Sequence, residues 1–273
     1  MPKPEIDDFF AINDINRLDL NKVIEKYSYF KKSDIPEYYL KKHFRALLQD
    51  TDDKIMFKKH NINDSPLQEL WTLRFIDMAE NNYDNLLINK YSSIEKSNLK
   101  EIVEICFNKN IISEIRKYLM LKGIYLYFIE PLQGTKIDGA VYMTNFSTIA
   151  IGLTLRFDRL DYLLFTLLHE LSHVILHESH LIEGIVSVVD SQEEIELEAN
   201  RLAKDSIINP EIYRVCIPKR TRDQNDLIKY SRLNKIPEVL LAGIIRRDLN
   251  NYQIFNEIIK KYKVDRSELY EWI

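Results

Sequence analysis

His169, Glu170 and His173 stand at the spacing H-E-x-x-H. In an α-helix, residues i and i+4 project from one face a turn apart, so the rings of His169 and His173 can aim at a single metal ion. Glu170 lies about 100° round the helix from His169, where it can reach a water at the metal without being a ligand. Two histidines and one further ligand leave a fourth position open, the arrangement that catalytic zinc uses. The chemistry implied is hydrolysis of a peptide bond. The ion acidifies water and polarises a carbonyl, and the glutamate carries a proton to the leaving amine. Four of the six histidines fall between His169 and His180, with His43 and His60 far upstream, so this is where the chain concentrates its ligating side chains.

The element that must position these residues is a helix. Phe157 to His177 carries few charges and includes Leu160, Leu163, Leu164, Phe165, Leu167, Leu168, Leu171, Val174 and Ile175. Such a segment predicts a mostly buried helix, in which two histidines and a glutamate need a partner. Asp158 reads as its N-cap and Asp161 as a first-turn acid. His177 continues the i, i+4 series but lies roughly 12 Å along the axis from His169. That distance suits a supporting or surface role better than ligation, and His180 lies further on. The three-histidine pattern H-E-x-x-H-x-x-G-x-x-H is absent, since Leu176 and Ser179 occupy its later positions. The third ligand must come from another element. Ser191 and Glu194 read as a capping box opening a helix that ends before Pro210. Glu193, Glu194, Glu196 and Glu198 are its acid candidates. Spacing favours Glu196, which shares a face with Asn200, and leaves Glu198 open; Ala199 and Ala203 offer a small face for packing on another helix. An asparagine one turn beyond a ligating glutamate suits a supporting hydrogen bond.

Ahead of the motif, Ser97 reads as the cap of a helix with Leu99, Ile102 and Val103, and Ile111 to Leu121 forms another, ended by Gly123. Three short β-rich runs follow, Ile124–Ile129, Gly139–Met143 and Ser147–Leu155. They predict a small antiparallel sheet, with Ser147–Leu155 as the edge that a substrate backbone could join. Residues 1–92 read as helical stripes (Leu18 to Tyr27, Tyr39 to Leu48, and a helix opened by Ser65-Pro66), either a partner-binding module or a cap. The expected division is a helical region 1–92, a catalytic domain 93–215 and a helical extension 216–273. With 45% hydrophobic and 29% charged residues, the composition supports a core and a soluble surface. No membrane span or signal peptide is evident, and Cys106 and Cys216 lack metal-site spacing, so a reducing cytoplasm is the expected home. Basic clusters such as Lys219-Arg220 and Arg246-Arg247 read as solvated faces. With a net charge of −4 they argue against nucleic acid as a partner. Six glycines exclude a glycine-rich phosphate cradle.

The stretch His169-Glu-Leu-Ser-His173, followed by Glu196-Leu-Glu-Ala-Asn-Arg-Leu-Ala203 and Pro210, resembles the ImmA/IrrE metallopeptidases, whose pattern is H-E-x-x-H, then E-x-E-A-N-x-F-A and a proline. Gly123–Pro131, Ile137–Tyr142, Ile149–Arg156 and Ile236–Arg246 resemble, in order, the protease part of HigA-like antitoxin fusions. The resemblance covers roughly 95–250. It implies an α+β, mainly helical, zincin-like core with a small antiparallel sheet beside the H-E-x-x-H helix. It implies Zn2+ held by His169, His173 and Glu196, with Glu170 as general base. Leu202 replaces the usual aromatic. No helix-turn-helix is evident in 1–92, so a stand-alone protease is expected. The resemblance implies as its protein substrate a separate helix-turn-helix regulator encoded nearby, in a stress-response or toxin-antitoxin setting. The contrasting expectation is a non-proteolytic, antitoxin-like scaffold that keeps the metal site. Tyr142 and Tyr162 are the tyrosines nearest in sequence that could stabilise an oxyanion.

Overall fold

The computed structural model describes residues 66–81, 89–131, 136–178, 181, 193–265 and 269. The chain divides into two compact units, Met1–Phe57 and Lys58–Ile273, and all described residues fall in the second. The helical stripes expected between Leu18 and Leu48, together with Ser191 and His180, lie outside the described residues.

Three helices lead in: α1 (Pro66–Asn81), α2 (Lys96–Ile105) and α3 (Ile111–Leu121). The helix carrying Leu99 begins two residues earlier than Ser97 as its cap would place it. Glu95 is the N-cap, and its backbone N–H donates to the Asn98 side chain at 2.8 Å. Gly123 ends α3 in the left-handed conformation, with φ of 72°. A Cβ there would fall 2.3 Å from the Lys90 backbone, so both geometry and space require glycine.

The sheet contains β1 (Ile124–Ile129), β2 (Gly139–Met143) and β3 (Ile149–Thr154) in the order β1-β3-β2. It is mixed, not wholly antiparallel. β3 pairs in parallel with β1 (Leu126 opposite Ile151) and antiparallel with β2 (Val141 opposite Ile151). β3 is therefore the central strand, and the expectation that it forms an edge is overturned. The reason lies in its residues, all six of which are buried. A strand covered on both faces is apolar throughout, and the sequence does not say which strands flank it. Trp71 and Phe75 of α1 are fully buried. Phe75 lies over Gly152, where a Cβ would come within 2.8 Å of its ring.

α4 (Leu160–Leu176) packs against β2, β3, α2 and two later helices, α5 (Glu193–Ile207) and α9 (Glu238–Asp248). Its N-cap is Arg159, not Asp158, and no side chain caps it. Two of its hydroxyls are satisfied within the helix: Thr166 donates to the Tyr162 carbonyl and Ser172 to that of Leu168. α6 (Pro210–Arg214), α7 (Ile217–Thr221), α8 (Gln224–Asn234) and α10 (Asn256–Lys261) complete the described helices. Leu240, Leu241, Ile244 and Ile245 of α9 join Leu163, Leu164, Leu167 and Leu168 of α4 in one hydrophobic core. Residues beyond 216 thus share the core of the metal-motif helix. Among the described residues, no helix is long and apolar enough to cross a membrane.

Candidate metal centre and active site

α4 and α5 together build the site. Ala199 and Ala203 of α5 are fully buried, and these small side chains permit close packing of α5 on its neighbours. Glu196, Ala199, Asn200 and Ala203 follow the i, i+3, i+4, i+7 pattern of a single helix face. That face brings the Glu196 carboxylate to the two histidines of α4. The Glu196 Oε2 atom lies 3.2 Å from His169 Nε2, and Oε1 lies 3.3 Å from His173 Nε2. The two Nε2 atoms are 3.1 Å apart. Tetrahedral zinc ligands at about 2.0–2.1 Å from the ion lie about 3.3 Å from one another, so the three residues fit such an ion.

The electrostatics agree with the geometry. Hydrogen bonds from His169 and His173 hold the Glu196 carboxyl well below the usual carboxylate range, so it is an anion. Burial lowers the pKa of His173, favouring the neutral imidazole that a metal requires. Lone pairs and a negative charge converge with no Lys or Arg on Glu196 among the described residues to balance them, and a metal cation would supply that balance.

Behind the histidines runs a supporting chain. His177 is buried; its Nδ1 lies 3.1 Å from His173 Nδ1, and its Nε2 lies 3.4 Å from Glu198 Oε2. Glu198, the alternative acid, therefore meets His177, while Glu196 meets the H-E-x-x-H pair. Asn200 also acts differently from expectation. Its Nδ2 donates to the Glu196 backbone carbonyl at 2.8 Å, not to the carboxylate. Its Oδ1 accepts from Arg247 Nη2 at 3.0 Å.

Glu170 is buried beside β2. A Cβ at Gly139 would lie 2.6 Å from its Oε1, so glycine lets the strand backbone approach the carboxylate. Gly139 is a site residue that sequence spacing missed. The signal available was only its place among six glycines in a β-rich run. Glu170, His169 and Asn200 border a cavity of about 610 Å³. Tyr162 lines that cavity, and its phenol is kept protonated by burial and by a hydrogen bond to Asp138. Tyr142 does not serve there, because its hydroxyl donates to Glu80 at 2.7 Å. The doublet Arg246-Arg247 is only half a solvated face: Arg246 is buried and donates to the Tyr252 carbonyl, whereas Arg247 is exposed and borders the cavity.

No curated protein sequence matches the chain. Residues 126–240 match the family described as the IrrE N-terminal-like domain, a peptidase family. This span contains β2, β3, α4 and α5, hence every residue of the histidine–glutamate cluster and the strand against Glu170. The sheet, the paired helices and the cluster thus lie in the part of the chain that is similar to the IrrE N-terminal-like peptidase domain.

Proposed function

We propose that the chain is a zinc-dependent endopeptidase that hydrolyses peptide bonds in a specific protein partner in the cytoplasm, a transcriptional repressor or antitoxin-like regulator encoded nearby. The observation that carries this reading is the meeting of His169, His173 and Glu196 at 3.1–3.3 Å beside a buried Glu170. His169, His173 and Glu196 hold Zn2+, and Asn200 fixes the backbone turn that presents Glu196. Bound zinc supplies Lewis acidity, polarising the scissile carbonyl and acidifying water. Glu170 is the general base. It takes one proton of the attacking water, whose oxygen ends on the acyl carbon. It then delivers that proton to the amine as the carbon–nitrogen bond breaks. β2 has β3 as its partner on one side, and its first residue lies against Glu170, so its other edge suits an extended substrate backbone.

Co-expression with the genomic neighbours tests this reading. Wild type should yield a cleaved partner, and Glu170→Gln should keep about one zinc per chain yet lose about 10²- to 10⁴-fold in cleavage rate. If Glu170→Gln performs the full biological function, the chain is a regulatory scaffold and the protease reading fails.

A further inference from the structure

The cavity beside the metal cluster holds an unbalanced cation. Arg159 is paired with Asp161, and Arg156 with Asp138. Arg247 has no carboxylate partner among the described residues, although it is held on two sides. Its guanidinium lies 4.3 Å above the Phe165 ring and donates to Asn200 Oδ1. Phe165 is one helical turn before His169, so the stacked guanidinium lies along the face of α4 that carries the metal ligands. Asn200 in turn bonds the Glu196 carbonyl, placing Arg247 two hydrogen bonds from a ligand's backbone. Lys136, which also lines the cavity, likewise has no ion pair among the described residues.

An arginine stacked on an aromatic ring and anchored at one nitrogen keeps its other N–H groups in a fixed fork, a geometry matched by carboxylate oxygens. Little side-chain entropy remains to be lost when such an anion binds. The anions bordering this cavity besides Glu170 are Asp138 and Asp161, both engaged by arginines, so neither competes for Arg247.

We propose that Arg247 is a specificity-determining residue which binds a carboxylate of the peptide substrate next to the scissile bond. That carboxylate belongs either to an Asp or Glu side chain or to the chain terminus. The inference rests on the proposed peptidase function for the identity of the ligand as a peptide, but it can be tested without turnover. Hydroxamates of a common backbone serve as probes, with the hydroxamate as zinc anchor and four variations: Glu with an amidated terminus, Gln with a free terminal carboxylate, Gln with an amidated terminus, and Lys with an amidated terminus. Dissociation constants are measured on the zinc-loaded full chain, on Arg247→Ala and on Arg247→Gln, with zinc content checked for each.

At least one carboxylate probe should bind wild type about tenfold or more tighter than the neutral probe, and the lysine probe should bind weakest. Which of the two binds tighter separates the side-chain source from the terminal one. The gap should close in both variants at unchanged zinc content. Equal binding of all four probes, or a gap that survives in Arg247→Ala and Arg247→Gln, overturns the assignment. Carboxylate selectivity without cleavage of any partner would sink the peptidase reading and leave this one standing. Partner cleavage without selectivity would do the reverse.

Discussion

Two buried polar groups sit on the same helix and behave oppositely. At the start of α4, Arg159 grips the Asp161 carboxylate with Nε and Nη2, and the Asp161 side chain is 3% exposed. Further along, His169 and His173 meet Glu196. The first group balances its charges and fills its space: a Cβ at Gly243 of α9 would lie 2.8 Å from Asp161 Oδ2. The second gathers two imidazole nitrogens and an anion with no Lys or Arg between them among the described residues. A closed pair of this kind is balanced within one helix end, whereas an open set of donors calls for an ion. Burial of polar side chains therefore does not by itself identify a site; the unbalanced charge does.

Metal removal should separate the two groups most clearly. Zinc at about a thousand times its Kd adds about 4 kcal/mol to folding stability. Calorimetry with and without chelator should show that difference in wild type and its absence in His173→Ala. An unchanged melting temperature would remove the metal from the second group. Asp161→Ala should cost about 2–4 kcal/mol by leaving Arg159 half-buried without its anion. Denaturant titration measures this loss, and the variant should still bind one zinc. Dependence of that loss on metal would mean the two groups are coupled and the contrast is false. Gly139→Ala should force strand or glutamate to shift, at about 1–3 kcal/mol, and should slow cleavage while zinc content holds. His177→Ala should weaken zinc about tenfold, as read by competition with a chromophoric chelator. A variant that binds zinc like wild type would reduce His177 to packing.

The helix carrying the motif was readable because its evidence is local. Leu160 to Val174 repeat at helical spacing, and His169 and His173 fall one turn apart within that repeat. The acid on α5 was harder to assign. Glu196 and Glu198 differ by two residues, and only packing on α4 decides that one meets His169 and His173 while the other meets His177. The sheet misled for a related reason. The alternation and apolarity of β3 describe its faces, whereas its place between β1 and β2 depends on pairings across the chain. Arg246 and Arg247, adjacent and alike in composition, part company because a helix turns about 100° between them, burying one and setting the other at the cavity.

From its sequence alone, this protein is determined to carry a buried helix with two metal-type histidines and a glutamate between them, because helical periodicity is a property of neighbours. Tertiary structure decided the rest: which carboxylate completes the set, which strand lies against Glu170, and which arginine stands by the cavity. Those choices join Glu196, Gly139 and Arg247 to α4 across long stretches of chain, and side-chain spacing within a segment holds no information about distances between segments.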